Sequence, residues 1–314
     1  MKNLLLSTAM VVGMAGGASA ETVGVSMALF DDNFLTVLRN GIQEIAKGME
    51  GVDVQIEDAQ NDVARQLDQI NNFIASGVDA IIVNPVDTSA TQAMTDAASA
   101  AGVPLVFVNR QPVNVDTLPD NQAFVGSDEA ESGTLETIQV CELLNAAGKT
   151  EANVYVLMGE LSNQAAVQRT KDIHDVMDSG KCKVTLNIID EQTANWQRDE
   201  AQNLMTNWLS AGTPFDAVIS NNDEMAIGAI QAMKASGLKM EDVIVAGVDA
   251  TRDALQAMAA GDLDVTVFQD AAGQGSGALD AALKLAKGEA VEQKVMVPFQ
   301  LVTPENMVDF AESN

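Results

Sequence analysis

Apolar runs and amphipathic stretches alternate along most of the chain. Stretches such as 34–49 and 224–237 place apolar residues three or four positions apart, as in helices with one buried face. Between the amphipathic stretches, short β-branched runs predict buried strands at 23–29, 52–58, 79–85, 104–110 and 122–127, then at 153–159, 183–190, 216–222, 243–249 and 265–270. Such alternation is typical of parallel sheets with crossover helices, so the sequence predicts an α/β fold with two similar, doubly wound lobes.

An internal echo supports two related halves. The run DAIIVNPVD at 79–87 is similar to DAVISNND at 216–223, and each is an apolar strand that ends in polar residues before a helix. In open parallel sheets, ligands bind beyond the carboxyl ends of the strands. The residues that directly follow each strand are therefore the candidates for a binding site.

Several of these strand ends carry carboxylates, amides, arginines or aromatic rings. The candidate ligand-binding residues are Asp32, Phe34, Asn109, Arg110, Arg169, Trp196, Asn222, Asp249 and Gln269. Any one of them could simply cap a helix. Together they suit a polyhydroxyl ligand, because carboxylates accept from hydroxyls, Arg and Asn donate to them, and aromatic faces pack on ring C–H groups. The two arginines balance the two aspartates, which favours a neutral sugar or cyclitol over an anion.

Residues 1–20 have the pattern of a cleaved secretory signal peptide. Lys2 precedes an apolar stretch from 4 to 14, and Ala18-Ser19-Ala20 forms a small-residue cleavage site. The prediction is cleavage after Ala20 and export of a protein that begins at Glu21. The two cysteines, Cys141 and Cys182, then have two interpretations: one disulfide in an oxidising compartment, or two small buried side chains.

Composition and motifs exclude several classes of function. With 45 acidic and 17 basic residues, a net charge of −28 repels phosphate backbones, so we predict no nucleic-acid partner. A single histidine, His174, excludes most catalytic triads and multi-histidine metal sites. The first strand is followed by SMALFDDNF, without the glycine spacing of a dinucleotide site, and 249–253 does not match a calcium loop. We therefore predict neither an enzyme nor a bound cofactor or metal.

Several motifs resemble a known family. They are FDDNFLTVLRNG (30–41), QTANWQRDEA (192–201), NNDEMAIGAIQAM (221–233) and GVDAT (247–251). The mature chain resembles type I periplasmic solute-binding proteins of the ribose/galactose-binding class, which deliver ligand to ABC importers. With VFVNRQP at 106–112 and NQAAVQRTKDIHDV at 163–176, it is most similar to the inositol- and rhizopine-binding branch.

The resemblance assigns roles to the candidate residues. It makes Phe34 and Trp196 opposing aromatic walls and Arg169 a donor that faces the open cleft. Ribose binders have Asn where this chain has Asp32, and Asp where it has Asn109; Leu35 stands where a second Phe is frequent. These departures disfavour ribose and favour another polyol, with myo-inositol or a related cyclitol as the first expectation.

The resemblance also implies topology and partners. Three strands would cross between the lobes, near 126–127, 269–270 and 298–299. One lobe would comprise 21–126 and 270–297, and the other 127–269 and 298–314. A monomer would close on its ligand in the periplasm and present it to ABC permease subunits of the inner membrane. Two alternatives are a sensor that serves a chemoreceptor or histidine kinase, and a pentose or hexose binder of the same class.

Overall fold

The computed structural model describes residues 20–311 and 313–314. The predicted signal peptide, apart from Ala20, lies outside the described residues. Within the described part of the chain, no helix is long and apolar enough to cross a membrane.

The elements of the first half follow the predicted order. They are β1 (Glu21–Met27), α1 (Asn33–Lys47), β2 (Val52–Asp58), α2 (Val63–Ser76), β3 (Ala80–Val83), α3 (Thr91–Ala101), β4 (Leu105–Asn109) and β5 (Gln122–Gly126). Side chains of Asp32 and Asp62 cap α1 and α2 by accepting from backbone N–H groups three residues later. Left-handed glycines, Gly77 and Gly102, end α2 and α3.

The second half repeats the rhythm and ends in two short strands. Its elements are α4 (Glu129–Ala146), β6 (Glu151–Met158), α5 (Gln164–Asp178), β7 (Thr185–Thr193), α6 (Arg198–Ala211), β8 (Ala217–Ser220), α7 (Asp223–Ala235), β9 (Ile244–Ala246), α8 (Arg252–Ala259), β10 (Thr266–Phe268), α9 (Ala271–Ala286), β11 (Lys294–Met296) and β12 (Gln300–Val302). All ten strands predicted from the apolar pattern are present, β2 with the predicted bounds and the others with shifted ends. The pattern did not predict β11 and β12, which flank the crossing that the resemblance implies near 298–299.

Two parallel sheets form the frame, which confirms the predicted α/β class. The first has the order β11-β5-β4-β3-β1-β2 and the second β7-β6-β8-β9, while β10 and β12 form an antiparallel pair. Helices cover both faces of each sheet: one apolar cluster packs α1 and α9 on the first sheet, and another packs α2 and α3 on its other face. We call these two units, each a sheet with its helices, the first and second lobes.

The internal echo has a structural basis. Asp79 Oδ2 accepts from the backbone N–H of Thr22 at 2.7 Å, just ahead of β3. Asp216 Oδ2 accepts from Asn153 N at 2.7 Å, just ahead of β8. Both carboxylates therefore fasten the neighbouring strand of their own sheet.

The other end of each echo also matches. Asn84 Oδ1 accepts from Ala28 N at 3.4 Å beyond β3, and Asn221 Oδ1 accepts from Gly159 N at 3.0 Å beyond β8. The same residue types hold the carboxyl ends of paired strands in both lobes, as expected for two copies of one design.

We propose that the lobe boundaries lie at the three predicted crossings. Gly126 ends β5 in the first sheet, and α4, which follows, packs against α5 of the second lobe. Helix α9, which follows β10, packs on α1 and on strands of the first sheet. Strand β11 then pairs with β5, whereas β12 pairs with β10. These contacts support lobes of 21–126 with 270–297 and 127–269 with 298–314.

The two cysteines are joined. A disulfide links Cys141 in α4 to Cys182, which lies just before β7, across 41 residues of sequence. Of the two interpretations left open by the sequence, the disulfide is therefore correct.

Candidate functional site

A cavity lies between the lobes at the carboxyl ends of both parallel sheets. It contains about 400 Å³ of empty space, part of it open to solvent. Its lining consists of Asp32, Phe34, Leu35, Asn109, Arg110, Glu129, Asn163, Ala165, Arg169, Trp196, Asn222, Asp249 and Gln269. The structure thus brings all nine candidate residues to one cavity, with contributions from both lobes.

The first lobe supplies the start of α1 and the end of β4. Asp32 Oδ1 accepts from Leu35 N at 2.8 Å, so this carboxylate caps α1 at the edge of the cavity. Asn109 ends β4, and its side chain donates to Gln274 Oε1 at 3.2 Å. Arg110 is buried and donates through Nη1 to Pro85 O at 2.9 Å. These bonds fix the three polar side chains on a rigid sheet edge.

The second lobe supplies an aromatic wall at Trp196. The ring packs flat on Gly159, where a Cβ atom would lie 2.2 Å from a ring carbon, so only glycine fits there. Asn222 Nδ2 lies 3.4 Å from Trp196 O and donates to it. Trp196 is 9% exposed. Trp208, by contrast, stacks on Tyr155 with ring centroids 4.3 Å apart, inside the lobe.

Arg169 differs from the expectation that it faces an open cleft. Its Nε donates to Glu129 Oε2 at 2.7 Å and its Nη1 donates to Asn221 O at 2.7 Å. Its Nη1 also lies 3.9 Å from Asp249 Oδ1. Burial lowers the pKa of Arg169, but the Glu129 and Asp249 carboxylates outweigh it and raise that pKa. The residue is therefore part of the lobe's interior as well as of the cavity wall.

Two carboxyls of the cavity hold their protons more tightly than usual. Burial raises the pKa of Asp249 well above its ordinary value, although Arg169 opposes that rise. Burial also raises the pKa of Asp32, against the N–H of Leu35 and the charge of Arg110. A protonated carboxyl can donate to a ligand hydroxyl and accept from another.

Backbone strain is concentrated around the cavity. Asn109, Trp196 and Asp249 have φ values of +66°, +66° and +122°. Such conformations persist in residues other than glycine only where the surrounding structure enforces them, and they are frequent at binding sites. The cavity wall is therefore shaped in advance by the fold.

Four lining residues lie outside the nine candidates, although the resemblance had already placed Leu35 at a position of the family's site. Leu35 and Ala165 add apolar surface, while Glu129 and Asn163 add polar groups. Asn163 follows β6 just before α5, so the rule of searching strand ends could have included it. Glu129 also changes the predicted charge balance, because three carboxyls now stand against two arginines. Its charge is matched locally by Arg169.

The lobes touch each other across the mouth of the cavity. Asn33 Nδ2 donates to Glu224 Oε1 at 2.7 Å, and Arg198 holds the same carboxylate from the second lobe. Elsewhere Thr88 N and Oγ1 both donate to Ser162 O, at 3.1 and 3.0 Å. The structure is therefore the closed form of the two lobes.

A group of buried carboxyls lies behind Arg169. Glu136 is fully buried, and among the described residues its two carboxylate oxygens have no hydrogen-bond partner. Burial raises its pKa well above the ordinary value, against the charge of Arg169. Burial likewise raises the pKa of Asp172 and of Asp223 to about 7. These groups keep protons at pH values where an unfolded chain has released them.

We expect the protein to lose stability as the pH rises from about 4 to about 7. The unfolded chain releases the Asp172 proton near the ordinary pKa of 3.8, whereas the folded protein keeps it to about 7. Unfolding therefore releases protons in this window, and a higher pH favours the unfolded state. Glu136→Gln removes one such proton release, so the variant should lose less stability than the wild type as the pH rises. The melting temperature of the variant minus that of the wild type should therefore increase from pH 5 to pH 8.

A matched control for this measurement is Glu142→Gln, because Glu142 is exposed on the same helix. It should follow the pH dependence of the wild type. If Glu136→Gln does the same, Glu136 does not hold a proton in the folded protein.

Comparison with known proteins places the chain in a family. Residues 23–290 match the periplasmic binding protein domain family. A Rhizobium meliloti protein assigned as a rhizopine-binding protein is 62% identical over 314 residues, the full length of both chains. The ribose import binding protein of Bacillus subtilis is 31% identical over 92% of this chain and 89% of its own length.

Solved structures agree in fold and topology. An ABC transporter solute-binding protein from Bacillus halodurans, solved with bound myo-inositol, has a TM-score of 0.87 and 42% identity, covering 95% of this chain and 100% of that one. The Caulobacter myo-inositol binding protein has a TM-score of 0.83 and 29% identity, with coverages of 95% and 98%. The chain therefore belongs to the periplasmic binding protein family, as an ABC solute-binding protein of the ribose/galactose class rather than an enzyme.

Proposed function

We propose that this protein is the periplasmic substrate-binding component of an ABC importer for a cyclic polyol or monosaccharide. The observation that carries the proposal is the cavity itself, around which both lobes contribute polar groups that can bond to hydroxyls. A ligand that touches both lobes stabilises the closed form, which is the form an importer would distinguish from the open one.

The nine predicted residues have two kinds of role in binding, ring packing and hydrogen bonding. Phe34 and Trp196 pack on the apolar faces of the ring. Hydroxyls on its rim bond to the polar members of the set, which are Asp32, Asn109, Arg110, Arg169, Asn222, Asp249 and Gln269. Arginines and amides donate, whereas the carboxyls accept, or donate where they keep a proton. This arrangement suits a ligand with hydroxyls around its whole edge.

The ligand we propose is myo-inositol or a related cyclitol. The Rhizobium meliloti relative is assigned to rhizopine, and two similar structures contain myo-inositol. The substitutions at Asp32, Leu35 and Asn109 set this cavity apart from the ribose-binding pattern. The whole-length identity to the rhizopine-binding relative makes rhizopine the second ligand to test.

Export to the periplasm agrees with two separate features. The first 20 residues have the signal-peptide pattern. The disulfide between Cys141 and Cys182 is of the kind that persists in oxidising compartments.

A thermal-shift panel of cyclitols, pentoses and hexoses tests the ligand class. A ligand that binds only the folded state raises the melting temperature by an amount set by its concentration relative to Kd. We expect myo-inositol or rhizopine to give a larger shift than ribose, and isothermal titration calorimetry to give a matching order of affinities. A largest shift with ribose, and none with cyclitols, would contradict the ligand proposal.

The two tryptophans report whether the cavity is the binding site. In Trp208→Phe only Trp196 remains, and its fluorescence should change on titration with the bound polyol. In Trp196→Phe the change should be mostly lost and the affinity should fall. The opposite pattern would place the ligand outside the cavity described above.

A further inference from the structure

Asn163 joins the two lobes and one wall of the cavity at the same time. Its Nδ2 donates to Val86 O in the first lobe at 3.0 Å. Its Oδ1 accepts from Trp196 Nε1 in the second lobe at 3.1 Å. The side chain is 1% exposed, so both bonds are shielded from water. One amide therefore connects the indole of the aromatic wall to the backbone of the opposite lobe.

The acceptor on the first lobe is itself part of the cavity frame. Arg110 Nη1 donates to Pro85 O at 2.9 Å and lies 3.4 Å from Val86 O. The carbonyl oxygens of Pro85 and Val86 thus accept from Arg110, a candidate ligand-binding residue of the same lobe. Val86 O also accepts from Asn163 of the other lobe. Next to them, Thr88 donates to Ser162 O at 3.1 Å from its backbone N–H.

Opening of the lobes affects the two bonds of Asn163 differently. Asn163 and Trp196 both lie in loops of the second lobe, after β6 and β7, so the bond between them survives opening. Val86 belongs to the first lobe, so its bond to Asn163 forms only on closure. In the open form the Asn163 amide keeps its contact with the indole and a bond from Nδ2 to Ser162 Oγ at 3.2 Å on its own lobe, but it loses the partner that ties it to the first lobe.

We propose that Asn163 is a positioning residue that couples closure of the lobes to the orientation of the Trp196 ring. This inference rests on the proposed function, in which Trp196 packs against a polyol. Closure fixes the amide through Val86 O, the amide fixes the indole, and the ring then holds the ligand. Asn163 acts through Trp196 and Val86, and its main effect is on how long the closed complex lasts.

Rapid filtration with labelled myo-inositol, a readout that does not depend on the Trp196 fluorescence, and a double-mutant cycle test the coupling. With myo-inositol as the probe, Asn163→Ala should speed dissociation about tenfold, the effect of losing one shielded hydrogen bond. Association should stay within about twofold, because encounter occurs in the open form. If the two changes acted independently, their fold increases in the dissociation rate constant would multiply. In the double variant Asn163→Ala/Trp196→Phe, this rate constant should be at least about threefold smaller than that product.

Asn33→Ala is the matched control. Its amide also donates across the mouth, to Glu224, but makes no hydrogen bond to Trp196. In the double variant Asn33→Ala/Trp196→Phe, the increase in the dissociation rate constant should equal the product of the two single increases to within about twofold. If Asn163→Ala multiplies in the same way, or slows association instead, the coupling role is wrong. Asn163→Ser is the second variant, and neither should impair folding, since the side chain makes no capping bond to α5.

A ligand-free measurement separates this inference from the proposed function. Cysteines introduced by Asn33→Cys and Glu224→Cys can be cross-linked by a short bismaleimide only when the mouth closes. Asn163→Ala should slow this cross-linking severalfold in the absence of any ligand, and an unchanged rate overturns the inference. If no polyol binds the wild type, the proposed function fails, while the cross-linking rate still decides the role of Asn163.

Discussion

Arg169→Ala is expected to cause the largest combined loss of binding and stability of any single change in the cavity. Three of its contacts are to the protein itself, with Glu129, Asn221 and Gln269. Removing the guanidinium leaves the Glu129 carboxylate buried without a counter-charge, which costs about 3–5 kcal/mol. The N–H groups that remain free for a ligand are lost as well, and each charge-assisted bond contributes about 1.5–3 kcal/mol.

Two measurements separate these roles of Arg169. Urea unfolding of the ligand-free protein gives the structural loss, and calorimetry with the bound polyol gives a loss of affinity of tenfold or more. The double variant Arg169→Leu/Glu129→Leu removes both buried charges, so it should regain stability without regaining affinity. A ligand-free Arg169→Ala protein as stable as the wild type would show that the ion pair contributes nothing. An unchanged affinity would remove Arg169 from the binding site.

The strand pattern predicted most of the frame and, through it, most of the site. Parallel strands bring their carboxyl ends to one edge, so polar residues such as Asn109, Asn222 and Asp249 meet although they are far apart in sequence. The same search reached Arg169, although it is the sixth residue of α5 rather than a residue directly after a strand, and the resemblance to a family then assigned roles to the candidates. The strand rule applied to the loop after β6 could also have found Asn163.

Other features depend on contacts that local patterns do not carry. The strands β11 and β12 span three residues each, and each is defined only by its distant partner, β5 or β10. The pairing of Glu129 with Arg169 joins two helices across 40 residues of sequence. Because α4 carries three acidic residues in its first three positions and its cap, the sequence favours an exposed helix start there over a buried ion pair.

The positive φ angles of cavity residues could not be predicted from the sequence either. Asparagine tolerates the left-handed region, so φ of +66° at Asn109 is mild, but the same value at Trp196 is unusual for a bulky residue. Tertiary contacts hold Trp196 in this conformation: its ring packs flat on Gly159, and its indole N–H donates to Asn163 Oδ1. Gly159 constrains the ring within the second lobe itself, so the ring needs little rearrangement against that lobe when a ligand arrives, which lowers the entropic cost of binding.

The largest stability effect outside the cavity is expected from removing the disulfide. Cys141→Ala/Cys182→Ala opens a loop that spans 41 residues of sequence. In the chain-entropy description, a cross-link over a loop of this length contributes about 4 kcal/mol by restricting the unfolded chain. A loss of that size lowers the melting temperature of a domain of 150–250 residues by about 10 °C. Calorimetric scans of the variant and of the reduced wild type should both show the decrease.

Ligand affinity should survive this change, which makes it a test of stability alone. Cys141 lies 12 residues along α4 from Glu129, and at about 1.5 Å per residue that places it roughly 18 Å from the cavity end of the helix. The second lobe is expected to remain folded at 25 °C, with its share of the cavity intact. Adding reductant to the double variant is the control and should change nothing. A wild type whose melting temperature is the same with and without reductant, despite complete reduction of the bond, would show that the second lobe gains no stability from it.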